Sequence, residues 1–325
     1  MKISMLRGLR TAALLSATCL ASAHAAWPEK PVSFVVPSAA GGSPDVLSRM
    51  VTTHAAQSLK TTFVVENRPG AAGNIGIMQI KRAAPDGYTV GYGNVNTLAV
   101  NRSLFKTLPY DVESDLVPVA HLINLYNVML VPADSPYQTV QSVIEAARAK
   151  PGALSYGASG VGTTGHMGGE LFGHMAKVDV MYVPYNSGPA ALQDLLGGRL
   201  DFMFSNSSEA FPLVNSGKAR ALGVSSLTRL EQLPDVPTLD EAGLKGYETI
   251  AWGGVVAPKG TPDDVIKTLN AALNESLAKP EVQKGLKTLG AVPAGGSPED
   301  FQKLIDSETA KWRDVIEQAN IEKLD

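Results

Sequence analysis

The chain has 325 residues, 44% hydrophobic and 18% charged, with 28 basic and 31 acidic side chains and a formal charge of −3. This length suits two domains of ordinary size, and the balance supports sizeable cores and excludes a globally disordered chain. There is no basic excess to attract nucleic acid, and one cysteine, Cys19, excludes a disulfide scaffold or a cysteine-built metal cluster. The five histidines (His24, His54, His121, His166 and His174) show neither HExxH nor Cys/His ligand spacing.

Residues 1–25 read as an export signal. Lys2, Arg7 and Arg10 form a positive start, Thr11 to Ala21 is apolar, and Ala23-His24-Ala25 has the small-x-small pattern of a cleavage site. The apolar run is shorter than the ~20 residues of a membrane span. Ser16-Ala17-Thr18-Cys19 is a poor lipid-attachment box, so release as a soluble protein is expected rather than a lipid anchor. Cleavage leaves 25 of the 28 basic side chains against all 31 acidic ones, net −6, and no thiol. No later stretch has ~18 uninterrupted apolar residues.

Beyond the signal, short β-rich runs alternate with amphipathic segments. Val32 to Val36 is a strand, Pro44 to Leu59 a helix, Phe63 to Glu66 a strand closed by Asn67-Arg68-Pro69-Gly70, Ile75 to Ala84 a helix, and Tyr88 to Tyr92 a strand. The long segment Asn101 to Val131 follows, with a strand at Asn127 to Val131. A second series comprises helix Val140 to Ala149, strand Leu154 to Gly157, helix His166 to Ala176, strand Val178 to Val183, helix Ala190 to Leu196 and strand Asp201 to Phe204. Val265 to Leu277 and Phe301 to Ala319 read as charged helices. Alternating strands and helices predict parallel sheets with right-handed crossovers, in one α/β domain near residues 26–130 and a second near 131–225.

Two loops resemble anion sites. In Val36 to Asp45 (VPSAAGGSPD), Gly41-Gly42 lets the backbone approach a ligand, Ser43 suits an N-cap, Pro44 the first helical position and Asp45 the positive helix end. Free N–H groups there would receive a carboxylate or phosphate, although a well-capped loop without a ligand uses the same residues. The second loop, Tyr156 to Phe172, places Gly160, Gly162, Thr163, Thr164 and Gly165 between a strand and a helix. Gly160 to Gly165 formally satisfies GxGxxG, but the next strand ends in Pro184-Tyr185, without the acidic residue that would hold a dinucleotide ribose. An anion-binding loop is the better reading, and glycine-rich packing the alternative. His166 reads as a loop-ordering histidine, since no GxSxG motif or triad supplies a nucleophile for a catalytic base. Arg68 reads as turn chemistry, and Trp252 as core packing or cleft lining.

At these residues the chain resembles a known family. WPEKPVSFVVPSAAGGSPD, VVENRPGAAGNIG, PDGYTVGYGN, YDVESDLVPV, SGVGTTGHMGGELF, VPYNSGPAALQDLLGGRLDFMF and GVVAPKGTPDDVI occur in the order of the Bug family, the extracytoplasmic solute-binding proteins of tripartite tricarboxylate transporters. The resemblance implies a type II periplasmic-binding-protein fold. That fold has two α/β lobes joined by two crossover segments, a small carboxylate-containing ligand in the cleft between them, and a return of the chain so that 226–325 joins 26–130 in lobe 1. It further implies a non-catalytic, monomeric periplasmic protein without cofactor or metal, serving transporter membrane subunits or a sensor. The ligand positions that the resemblance carries over are Ser38, Ala39, Gly41, Gly42, Ser43 and Asp45 in one loop, and Ser159, Gly162, Thr163, Thr164 and His166 in the other. The first loop departs from the family's PFxPGGGTD at Ser38, Ala40, Ser43 and Pro44, and Pro44 lacks an N–H. Asn186 stands where a lysine is common, which disfavours a ligand with several carboxylates. A hydrolase, an oxidoreductase and an adhesion module are the alternative classes. Each lacks a nucleophile, metal set, dinucleotide site or other motif of its own.

Overall fold

The computed structural model describes residues 27–318 and 321–325. The expected signal segment 1–25, with Cys19, lies outside the described residues. The first series runs β1 (Val32–Val36), α1 (Ser43–Leu59), β2 (Phe63–Asn67), α2 (Asn74–Arg82) and β3 (Thr89–Asn94). β1 lies between β2 and β3 and is parallel to both. Its strand is apolar on both faces because both are covered. Val32, Phe34 and Val36 enter a core with Leu47, Val51 and Leu269, whereas Val35 enters one with Ile77, Ile80 and Trp312.

A π-helical segment, Asn96–Val100, and two short helices, α3 (Asn101–Leu104) and α4 (Val112–Asp115), lead into β4 (Leu116–Pro132). The 17 residues of β4 run through both lobes. The second lobe adds α5 (Val140–Ala149), β5 (Ser155–Gly157), α6 (Thr164–Ala176), β6 (Met181–Val183), α7 (Gly188–Leu196), β7 (Phe202–Asn206), α8 (Ser207–Asn215) and β8 (Ala219–Val224). The chain then returns through β9 (Ile250–Pro258), α9 (Asp263–Ala278), α10 (Pro280–Thr288), β10 (Ala291–Pro293) and α11 (Pro298–Gln318). Residues Leu116 to Tyr126 of β4 pair antiparallel with β9, and from Asn127 onward the partners are β7 and β8, also antiparallel.

Three expectations are corrected here. The sheets are mixed rather than parallel, because β4 and β9, the strands that carry the chain between lobes, run against their neighbours. β4 is also far longer than the strand expected at Asn127 to Val131. Pro118 and His121 sit at register shifts in its pairing with β9, and such interruptions hide a strand's period. The expected departure from the second lobe at residue 225 also differs from the observed packing. Leu239, Leu244 and Tyr247 share a core with Tyr156, Phe172 and Phe202, so the segment up to β9 packs with that lobe. Residues 226–249 form no strand or helix whose period could have announced this.

Candidate functional site

A cavity of about 300 Å³ lies where β1–α1, β3, β5–α6, β6–α7 and β7–α8 end. Several helices begin at its wall, and each start leaves backbone N–H groups without intrahelical acceptors. Ser38, Ala39, Gly42 and Ser43 line it from the first lobe, and Ser159, Thr163 and Thr164 from the second. Gly41, Asp45, Gly162 and His166 stand behind this wall rather than in it.

These four shape the loops. The Asp45 Oδ2 accepts the Gly41 N–H at 2.9 Å, and its Oδ1 accepts from Arg49 Nε at 2.8 Å and Asn67 Nδ2 at 3.0 Å. Burial alone would raise the Asp45 pKa, but these partners together hold it below the ordinary carboxylate value. Gly41 has a φ of +79°, a left-handed conformation suited to glycine. Across the cavity the Gly162 N–H donates to His166 Nδ1 at 3.2 Å, so Nδ1 is unprotonated and the ring is neutral with its proton on Nε2. Burial lowers the His166 pKa to about 4, which keeps that acceptor available at neutral pH. Gly162 has a φ of +74°, and a Cβ there would stand 2.9 Å from Asn101 Oδ1. Thr163 caps α6: its hydroxyl donates to the Gly160 carbonyl at 2.6 Å and lies 3.5 Å from the His166 N–H.

Ser43 is not the N-cap expected of it. α1 starts one residue earlier, with Gly42 as the cap and Ser43 as its first residue, because the serine hydroxyl is drawn across the cleft. It lies 2.6 Å from the Ser208 hydroxyl and donates to Glu209 Oε1 at 3.1 Å, while the Ser43 N–H donates to the same oxygen at 3.0 Å. These bonds join the lobes directly.

The cavity is also lined by residues outside these two loops. Pro69 to Gly73 form one wall, where Ala71 and Ala72 hold left-handed φ values of +46° and +53°. Such strain in residues with a Cβ clusters at ligand sites. The Ala72 carbonyl accepts from Asn96 Nδ2 and Asn101 Nδ2, both at 3.1 Å, which fixes the loop from behind. Asn94, Asn96, Asn186 and Asn206 line the cavity with neutral amides. Trp252 does both things considered for it, being 2% exposed, at the cavity edge, with its Nε1 donating to Glu308 Oε2 at 3.1 Å. Arg68 pairs with Glu66 at 2.8 Å and does not line the cavity. No lysine, arginine or histidine does so among the described residues. Glu209 is an acidic lining residue that neither loop motif could reveal. It lies in the first turn of α8, preceded only by serines and an asparagine. This arrangement can receive an anion through backbone dipoles and amides, without a cationic side chain.

Comparison with known proteins finds similar sequences and similar folds. The family model described as "Tripartite tricarboxylate transporter family receptor" matches residues 47–321. A UPF0065 protein from the tcbD-tcbE intergenic region of Pseudomonas sp. strain P51 is 40% identical over 90% of this chain and 87% of its own. The structure of Rpa4515 of R. palustris with adipate superposes with a TM-score of 0.89 at 36% identity, over 92% of this chain and 100% of that one. The periplasmic binding protein BugD gives 0.87 at 33% identity, over 92% and 100%.

Proposed function

Because this chain belongs to the tripartite tricarboxylate transporter receptor family, we propose that it captures a small carboxylate-containing solute in the interlobe cavity as a non-catalytic, monomeric periplasmic receptor. The observation that carries this reading is the start of α6 opening on a cavity with no cationic side chain among its described lining residues. There the Thr164 and Gly165 N–H groups lie at the positive helix end, as a carboxylate requires, while the Thr163 N–H donates to the Gly160 carbonyl at 3.4 Å. Hydrogen bonds to a charged group contribute ~1.5–3 kcal/mol each, so a few of them support micromolar binding without an ion pair. Among the carried-over positions, Ser38, Ala39, Gly42, Ser43, Ser159, Thr163 and Thr164 are proposed to face the ligand. Gly41, Asp45, Gly162 and His166 are proposed to hold those residues in place.

Residues 26 to about 126 and from about 250 onward are proposed to form lobe 1, with 127–249 forming lobe 2. The boundaries fall where β4 exchanges β9 for β7 and where β9 begins. Membrane subunits of a tripartite tricarboxylate transporter are the proposed partners. Export through residues 1–25 would place receptor and solute on the same side of the membrane. Thermal unfolding in the presence of aliphatic, aromatic and amino-acid carboxylates tests the reading. A ligand at 100 times its dissociation constant adds ~2.7 kcal/mol of stability. At least one class should raise the midpoint without being consumed. Silence across the whole panel contradicts binding, and turnover of any member contradicts the non-catalytic role.

A further inference from the structure

Glu209 is the one acidic side chain among the described lining residues, and its carboxylate occupies an unusual seat. Its Oε1 takes two hydrogen bonds from Ser43, the first residue of α1. The Ser43 hydroxyl is free to donate because Asn206 Nδ2 donates to it at 3.2 Å and the Ser208 hydroxyl lies beside it. Oε2 has no hydrogen-bond partner and is shielded from solvent, pressed against Gly188, the first residue of α7. Any Cβ at position 188 would overlap Glu209, so the glycine and the carboxylate fit each other. The carboxylate therefore sits beside the starts of α1 and α7 and in the first turn of its own helix, α8. These positive ends would otherwise receive an anion, and the protein's own carboxylate fills that place.

The start of α6 then remains for the anionic end of a ligand. A second negative group elsewhere in the cavity would face Glu209 with no lysine, arginine or histidine in the described lining to offset it. Like charges in a poorly solvated site repel strongly. We propose that Glu209 is a specificity-determining residue that restricts the ligand to a single carboxylate, the rest of the molecule being uncharged or cationic. This inference rests on the reading that α6 receives a carboxylate. It sets this chain apart from the R. palustris relative named with adipate, a diacid.

The test is calorimetric titration of the full-length exported protein and its Glu209→Gln variant with matched probes. These are hexanoate, 6-aminohexanoate and adipate, and the four-carbon set of butyrate, 4-aminobutyrate and succinate. Wild type should bind a monoacid or amino acid about tenfold more tightly than the diacid of equal length, and Glu209→Gln should shrink that ratio by a similar factor. The wild-type ratio stands as a test even if the variant folds poorly. A wild-type preference for the diacid, equal affinity for the two, or a ratio that Glu209→Gln leaves unchanged overturns the inference while leaving carboxylate capture intact. Failure of every probe to bind overturns both.

Discussion

A buried carboxylate whose pKa is raised costs stability when it ionises. Burial pushes the Glu209 pKa above the ordinary glutamate value, against the pull of the Ser43 N–H and hydroxyl. Its contribution to stability is therefore present below the unfolded-state value of ~4.3 and is lost as pH rises through the folded-state value. Glu209→Gln should raise the ligand-free melting midpoint at pH 8 by roughly 2 °C, with the gain fading as pH falls toward 4.5. A lower midpoint at pH 8 would show that the ionised carboxylate holds the lobes together. Thr163 offers a second case. Its hydroxyl is committed to the Gly160 carbonyl, so Thr163→Ala acts through the cap and loop. Both the melting midpoint and the affinity for a carboxylate should fall, the stability by ~1 kcal/mol and the binding about tenfold. Weaker binding at unchanged stability would mean that the hydroxyl touches the ligand directly. Thr163 was legible in the sequence because a capping residue lies beside glycines. Glu209 was not, since its role depends on Ser43, 166 residues away in the chain.

Elements differed in how openly the sequence announced them. α1 and α5 showed their periods because each buries a helical stripe, as in the capping box and buried Val140, Val143, Ile144 and Ala147 of α5, whereas β1 was legible as a short β-branched run covered on both faces. β4 hid its first half because its pairing with β9 shifts register at Pro118 and again at His121, so no single alternation persists. α6 was legible as a helix with a ligand-competent start. The part played by its buried histidine as an acceptor for the Gly162 N–H needed the folded loop. That hydrogen bond makes the element sensitive to pH. Folding depresses the His166 pKa from 6.5 to about 4 through burial, so its stabilising contribution is complete above about 6.5 and is lost as pH falls toward 4. At ~1.36 kcal/mol per pKa unit, up to about 3 kcal/mol is at stake. Urea unfolding at pH 7, 5.5 and 4.5 should show this loss in wild type and a flatter profile in His166→Asn, which keeps an acceptor but cannot be protonated. Parallel pH profiles for the two proteins would place the acid sensitivity elsewhere.

For the whole molecule, the alternation of strands and helices pointed to two α/β lobes, and the ordered motifs pointed to the family. The mixed sheet and the packing of residues 226–249 became visible only once the two lobes were assembled, since they depend on strands that cross between them. The chain crosses between the lobes through β4 and into β9, and a hinge at these two crossings is expected to close the cavity on a ligand. X-ray scattering should give a smaller radius of gyration at saturating ligand than without it, and an unchanged radius would contradict closure. The central claim is that the start of α6 holds the ligand's carboxylate, and calorimetric titration of Gly162→Val against wild type, using the tightest-binding acid, tests it most directly. A valine there meets Asn101 and Leu104 and must adopt a left-handed φ, which displaces the N–H groups of the α6 start. Wild type should bind with micromolar affinity that changes little with salt, as a buried site is poorly screened, and folded Gly162→Val should lose at least a hundredfold. Full affinity in the folded variant would show that the carboxylate is held elsewhere.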